Sequence, residues 1–215
     1  SWAGLSLTMP LKSAIIPLLA EVDELARDLE SVNTVLPVPG GWLGTNTDVF
    51  GIVQALALQG PAIGPALVLG AGATARSALA ALARLGVRDV TVASRRPAPD
   101  LIHLGSRLDL TVHSVGFEPD ALLLARDIVV STLPGDAAER WAAHCAPARG
   151  VLLDASYHPW PTPLAAAWPT GRVASGRDML LWQAVEQVRL MTGHQAPVEA
   201  MAAALTDAEQ RRRPG

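Results

Sequence analysis

The chain has 215 residues and a formal net charge of -3, with half its residues hydrophobic and 17% charged; this gives ample core for one or two domains and argues against a nucleic-acid-binding surface. One cysteine, Cys145, excludes a disulfide framework, and five scattered histidines (103, 113, 144, 158 and 194) without ligand spacing give no metal site. No apolar run reaches the ~18 residues that would span a bilayer and no signal peptide is visible, so a cytoplasmic protein with no membrane partner is expected, and Arg211-Arg212-Arg213 reads as a solvated tail.

The opening SWAGLSLTMPLK reads as the interior of a longer sequence, so a preceding segment is expected. Residues 11–30 look helical. In GTNTDVFGI (44–52), Asp48 has the chemistry of an N-cap, with Val49, Phe50, Val53 and Leu56 following at helical spacing. From residue 66 short β-type runs alternate with Ala/Leu-rich helical stretches. ALVLG (66–70) is an apolar run of strand length, and ATARSALAALARLG (73–86) is a helix stopped by Gly86. Further strands are expected at 89–94, 110–115, 127–134, 151–157 and 172–175, with helical stretches near 119–126, 136–146 and 162–168. A long amphipathic helix at 178–193 is followed by a further helical segment, EAMAAALTDAEQ.

Strands alternating with helices imply α/β architecture, a doubly wound parallel sheet of Rossmann type over residues 47–176. Residues 1–46 and 177–215 are then expected to combine as a second, split α/β domain.

The first strand-to-helix turn carries Gly70-Ala71-Gly72-Ala73-Thr74-Ala75, a G-x-G-x-x-A. Gly70 permits the tight turn, Gly72 lets backbone approach a pyrophosphate, and small Ala75 lets the helix pack close to the strand. The helix start offers unpaired N–H groups to phosphate oxygens. The next strand ends in Ala93-Ser94-Arg95-Arg96, with no acid to bond a ribose 2′-hydroxyl. Two guanidinium groups suit a 2′-phosphate through bidentate, charge-assisted bonds, which favours NADP over NAD and an oxidoreductase.

Reducing a carbonyl by hydride leaves developing alkoxide charge that needs a proton donor or an electrostatic partner. No tyrosine–lysine pair at short-chain-dehydrogenase spacing is present. The candidates outside the cofactor domain are Ser6, Thr8 and Lys12 in SLTMPLK, Asn33 and Thr34 in SVNT, and Asn46 and Asp48 in GTNTD. Lys12 is the one lysine in the chain, against sixteen arginines, which fits a function that an amine alone can serve.

GLSLTMPLK, ESVNT, GTNTDVFG, GAGATAR, YHPWPTPL and GRDMLLWQA stand in the order seen in shikimate dehydrogenases, and the resemblance runs from residue 4 to about residue 201. It implies NADPH-dependent reduction of 3-dehydroshikimate, a small-molecule substrate, to shikimate in the pathway to chorismate. By position, Lys12 resembles the family's catalytic lysine and Asp48 its partner carboxylate. Asn33 and Asp48 are implied to bond the substrate's ring hydroxyls, Thr8 and Gln183 to contact the substrate, and Tyr157 to lie at the cleft. Thr132, Leu133 and Pro134, with Gly176 and Met179, are implied to flank the nicotinamide. His158 and Cys145 receive no role, and a homodimer stays open.

The family also carries a Ser-x-Ser loop that holds the substrate carboxylate, ahead of where this sequence starts. Ser6 and Ser94 stand where asparagine is common, and both keep a hydrogen-bonding side chain. The alternatives are a quinate or quinate/shikimate dehydrogenase linked to NAD, against which Arg95 and Arg96 argue, and a non-catalytic dinucleotide-binding relative, against which Lys12 and Asp48 argue.

Overall fold

The computed structural model describes residues 2–211, and the chain divides into two compact units, residues 1–51 with 180–215 and residues 52–179. Arg212 and Arg213 of the basic run lie outside the described residues.

The first unit opens on strand β1 (Leu5–Ser6) and the single-turn helix α1 (Leu11–Ala14). Residues 11–30 do not form the expected continuous helix. Pro17, which has no N–H to extend an α-helix, stands in a 3-10 turn over Ile16–Leu18, and β2 (Glu21–Val22) follows. Asp23 then caps a new helix, α2 (Glu24–Leu29), by accepting the Ala26 N–H at 2.6 Å, and Glu30 ends it in the left-handed region at φ 49°. β3 (Thr34–Val38) and β4 (Gly41–Thr45) form an antiparallel hairpin across Pro39-Gly40. The sheet order is β1-β3-β4-β2, with β2 parallel to β4. Ala26, Val32 and Val35 form its small core, closed by Leu5, Ile16 and Trp42. Helix α3 (Asp48–Ala57) carries the chain onward.

The second unit contains β5 (Ala66–Leu69), α4 (Ala73–Arg84), β6 (Asp89–Ala93), α5 (Pro99–Arg107), β7 (Thr111–Val115), α6 (Ala121–Leu124), β8 (Ile128–Ser131), α7 (Gly135–Ala142), β9 (Val151–Asp154), α8 (Pro163–Ala166) and β10 (Val173–Ser175). All strand pairs are parallel, in the order β10-β9-β8-β5-β6-β7. This is the doubly wound order, in which the direction of winding reverses between β5 and β8. Every residue of β5, β8 and β9 is buried, as parallel strands covered on both faces require. Trp141 is fully buried against Leu67, Leu152 and Leu164.

Helix α5 was not anticipated from sequence. Pro99 sits in its first turn, where a missing N–H costs no helical bond. The strands expected over 127–134 and 151–157 end at Ser131 and Asp154, leaving their tails as loops.

After β10, α9 (Gly176–Thr192) begins at a capping box: the Asp178 carboxylate accepts the Ser175 N–H and hydroxyl, each at 2.8 Å. Gly193, at φ 71°, follows its last turn, and α10 (Val198–Gln210) completes the described chain. Among the described residues no helix is long and apolar enough to cross a membrane.

Asp154 is fully buried at the end of β9. Its carboxylate accepts the Thr162 hydroxyl at 2.6 Å and the Ser156 N–H at 3.2 Å, so it ties both ends of the loop that carries Tyr157. Thr162 in turn caps α8 by accepting the Ala165 N–H at 3.1 Å. Burial pushes the Asp154 carboxyl above its ordinary value, against the opposing pull of the bonds from Thr162 and Ser156. The folded state therefore holds this proton more tightly than the unfolded chain. The stabilisation is complete below the ordinary carboxylate pKa and is lost as pH rises through the raised one. Thermal melts from about pH 4 to 8 are expected to show the wild type losing Tm with rising pH relative to Asp154→Asn; parallel Tm curves for the two proteins would refute this assignment.

Candidate active site

Lys12 lies on α1, anchored at its base by two backbone bonds. Thr8 C=O accepts the Leu11 N–H at 2.8 Å, and Lys12 C=O accepts the Val32 N–H at 2.8 Å. The second bond fixes α1 beside the segment that leads into β3. The Lys12 ammonium donates to Asp48 Oδ2 at 2.5 Å, with the two side chains only 13% and 5% exposed. Asp48 is the first residue of α3, where the positive end of the helix dipole favours a carboxylate.

Asp48 is not the cap of this helix. Asn46 Oδ1 takes the Val49 N–H at 3.4 Å, while Asn46 Nδ2 donates to Ser31 C=O at 2.8 Å. The carboxylate is thereby left for side chains: Oδ2 for Lys12, and Oδ1 for Asn33 Nδ2 at 2.8 Å.

Asn33 is the hub of this network. Its Oδ1 accepts the Thr47 N–H at 2.8 Å and the Thr34 hydroxyl at 2.8 Å. Its Nδ2 also lies 3.0 Å from Thr47 Oγ1 and 3.3 Å from Gln183 Oε1 on α9. Asn33, Thr34, Thr47, Asp48, Gln183 and Gln187 are all buried. Among the described residues the Lys12 ammonium bonds Asp48 alone, so two of its three N–H donors remain for a ligand oxygen. A buried charge pair of this kind is weak as a stabilising device, because desolvation offsets the Coulomb gain. Its chemical capacity is to hold a proton donor in a fixed place.

The structure gathers four of the sequence-expected residues, Lys12, Asn33, Asp48 and Gln183, into one network. Thr8 is exposed and enters it only through its backbone. Tyr157, 47% exposed, stands in the loop that Asp154 ties down. Gln187 was missed in the sequence reading, as were the bonding roles of Thr34 and Thr47. The available signal was Gln183-x-x-x-Gln187, two amides one turn apart on the same face of the helix.

In the second unit the glycine turn follows β5, on one side of the winding reversal. Gly70 has φ +107°, and a Cβ there would lie 2.5 Å from Thr132 Oγ1. Thr132 in turn donates to Leu69 C=O at 2.8 Å, which locks the ends of β5 and β8 together. Gly72 precedes α4 without a side-chain cap, and a Cβ built on it meets nothing within 4 Å. Ala71 and Gly72 are exposed, while Ala75 is fully buried. An open backbone turn at an uncapped helix start fits a pyrophosphate.

After β6, Ser94 Oγ donates to Arg96 C=O at 2.6 Å and fixes the turn that exposes Arg95 and Arg96. Arg95 lines a cavity of about 620 Å³ together with Phe117, Glu118 and Arg140. Leu133 and the exposed Pro134 lead into α7. Gly176 is buried so closely that a Cβ would lie 2.1 Å from Ala155 O, and Met179 is buried one turn later. Burial pushes the Cys145 thiol up to about 11, so it stays a thiol at neutral pH. Among the described residues no group of three or more His, Cys, Asp or Glu is gathered for a metal.

Comparison with known proteins gives two family matches, the shikimate dehydrogenase substrate binding domain over residues 1–35 and the shikimate 5'-dehydrogenase C-terminal domain over residues 176–206. The shikimate dehydrogenase (NADP(+)) of Oleidesulfovibrio alaskensis is 38% identical over 217 residues, spanning 96% of this chain and 76% of that protein. The crystal structure of Mycobacterium tuberculosis shikimate dehydrogenase matches with TM-score 0.87 and 44% identity over 94% of this chain and 79% of its own. Thermus thermophilus shikimate 5-dehydrogenase, solved in complex with NADP(H) and shikimate, matches with TM-score 0.79 and 32% identity over 97% of this chain and 80% of its own.

Proposed function

This chain belongs to the shikimate dehydrogenase family, and we propose that it catalyses the reversible NADPH-dependent reduction of 3-dehydroshikimate to shikimate, with Lys12 and Asp48 exchanging the proton. The observation that carries this reading is the Lys12–Asp48 contact at 2.5 Å, backed by the Asn33 amide and largely withdrawn from water.

NADPH, when bound, supplies the hydride. The chain's own groups do the rest. Lys12 donates a proton to the substrate oxygen that gains negative charge as the carbonyl is reduced, and takes it back in the oxidation direction. Asp48 holds the ammonium in line and accepts from a substrate ring hydroxyl. Asn33 and Gln183 supply neutral amides for the remaining hydroxyls, so the ring is oriented without adding charge to the site. Thr8 and Tyr157 are assigned to the substrate as outer contacts.

For the cofactor, Gly70, Ala71, Gly72, Ala73, Thr74 and Ala75 form the phosphate turn, and Ser94, Arg95 and Arg96 form the 2′-phosphate end. Thr132, Leu133, Pro134, Gly176 and Met179 are assigned to the nicotinamide end. The open turn at Gly72 and the exposed guanidinium groups support these assignments. A cytoplasmic enzyme acting on a small molecule completes the reading, and sedimentation would decide between a monomer and a homodimer.

Lys12→Ala is expected to lower kcat by at least about 10³-fold while NADP(H) affinity, measured by fluorescence titration, stays within about twofold; wild-type-like turnover in that variant would sink the catalytic assignment. Replacing Arg95 and Arg96 together by alanine is expected to raise the KM for NADPH by about tenfold or more and to leave the KM for NADH nearly unchanged. Equal shifts in the two KM values would remove the 2′-phosphate argument. Steady-state rates on shikimate and on quinate, each with NADP and with NAD, test the substrate choice directly.

A further inference from the structure

Helix α9 turns two buried glutamines toward Asn33, one helical turn apart. Gln183 accepts from Asn33 Nδ2 and places its own Nε2 on Leu180 C=O at 2.9 Å, within the helix. Gln187 does something different. Its Nε2 donates to Thr34 Oγ1 at 3.0 Å and to Asn33 C=O at 3.3 Å. A backbone carbonyl only accepts, so the amide of Gln187 is held with its nitrogen, not its oxygen, against this pair.

That orientation has a directional consequence. Because Thr34 Oγ1 accepts an N–H from Gln187, its own hydroxyl hydrogen is directed elsewhere, and the nearest acceptor is Asn33 Oδ1 at 2.8 Å. Asn33 Oδ1 also takes the Thr47 backbone N–H, which fixes the oxygen on that side and sends Nδ2 to Asp48 Oδ1. The donors therefore run in one sense, from Gln187 to Thr34 to Asn33 to Asp48, and meet Lys12 arriving from the other side. Neutral chains of this kind polarise one another in a low-dielectric interior.

We infer that Gln187 is a positioning residue that orients the substrate-binding amide of Asn33 through the Thr34 hydroxyl, and this rests on the role proposed above for Asn33. The Thr47 N–H independently holds Asn33 Oδ1, so removing Gln187 loosens the amide without inverting it. Replacing it with glutamate does more. A carboxylate accepts where the amide donated, so it takes the Thr34 proton away from Asn33 and faces the Asn33 carbonyl with no donor of its own.

The test measures kcat and KM for shikimate and for NADP in Gln187→Met, Gln187→Glu, Thr34→Val, Thr34→Ser and the Gln187→Met/Thr34→Val double variant, with the Tm of each. Gln187→Met is expected to lower kcat/KM for shikimate by about tenfold and Gln187→Glu by more, through a raised shikimate KM, with the NADP KM unmoved. Thr34→Ser, which keeps the hydroxyl, should stay within about twofold of wild type. The double variant should be no worse than Thr34→Val alone, because both act through one hydroxyl. A purely structural role would reduce the fraction of active enzyme, and hence kcat, without shifting the shikimate KM. That pattern, additive losses in the cycle, or wild-type kinetics in both Gln187 variants would each overturn the inference. If Gln187→Glu does not fold, the methionine variant and the cycle decide. Asn33→Ala separates the two levels. Wild-type shikimate kinetics in Asn33→Ala would defeat the reading of Asn33 and the inference with it, whereas an impaired Asn33→Ala beside unaffected Gln187 variants defeats the inference alone.

Discussion

A lysine ammonium lying 2.5 Å from a carboxylate, both mostly withdrawn from water, is stable only if the lone pairs that the lysine does not reach are satisfied elsewhere. Asn33 and the start of α3 meet that requirement for Asp48. The helix places the carboxylate at its positive end, and the Asn33 amide takes the second oxygen. Much of the first unit follows from keeping this pair in register. The Lys12 carbonyl is tied to Val32 just before Asn33, Asn33 is tied to Thr47 just before Asp48, and the β3–β4 hairpin joins the last two over a short path. A shift of one residue in that hairpin would turn Asn33 away from the carboxylate and leave two buried polar groups without partners.

The second unit solves a different problem, the close approach of neighbouring groups to the backbone. Its sheet reverses winding between β5 and β8, and there the Thr132 hydroxyl bonds Leu69 C=O while the missing Cβ of Gly70 makes room for it. Gly176 repeats the device beside Ala155 at the start of α9. These are packing reasons for glycine. Gly72 differs, since the space its Cβ would take is open and its value lies in exposing backbone.

The legible parts of the sequence were those with a strong local period. All six strands of the parallel sheet and the glycine turn were visible: β5, β8 and β9 as short, mostly apolar runs that are buried on both faces, and β6 and β7 as short runs rich in valine with threonine. The first unit was not legible in the same way. Two of its strands have two residues each, too few to show any alternation, and the apolar residues of 14–20 mimic a helix until Pro17 interrupts it. Helix α5 was hidden by prolines that mark its start, not its absence. Asp48 had the right chemistry for a cap, but Asn46 two positions earlier does that work, a choice that turns on a backbone geometry no pattern reveals. Lys12 and Asp48 are 36 residues apart, and nothing in their spacing joins them; the lone lysine and the resemblance to the family drew attention to the pair.

Gln187 shows where sequence reading stops. Its meaning depends on the sense of a hydrogen bond, and the sense is fixed by an acceptor 154 residues away in the chain. The site as a whole keeps charge to one cation and one anion and surrounds them with amides and hydroxyls. A further buried acid or base would compete for the lysine or the carboxylate and carry its own desolvation cost. Amides and hydroxyls instead transmit orientation without charge, and their two-sided character lets one helix impose a single sense on the network. A site built this way leaves Lys12 as its one cation, held by Asp48 with two N–H donors to spare among the described residues, and surrounds the pair with neutral amides and hydroxyls. A polyhydroxylated ring with one reducible carbonyl presents that pattern.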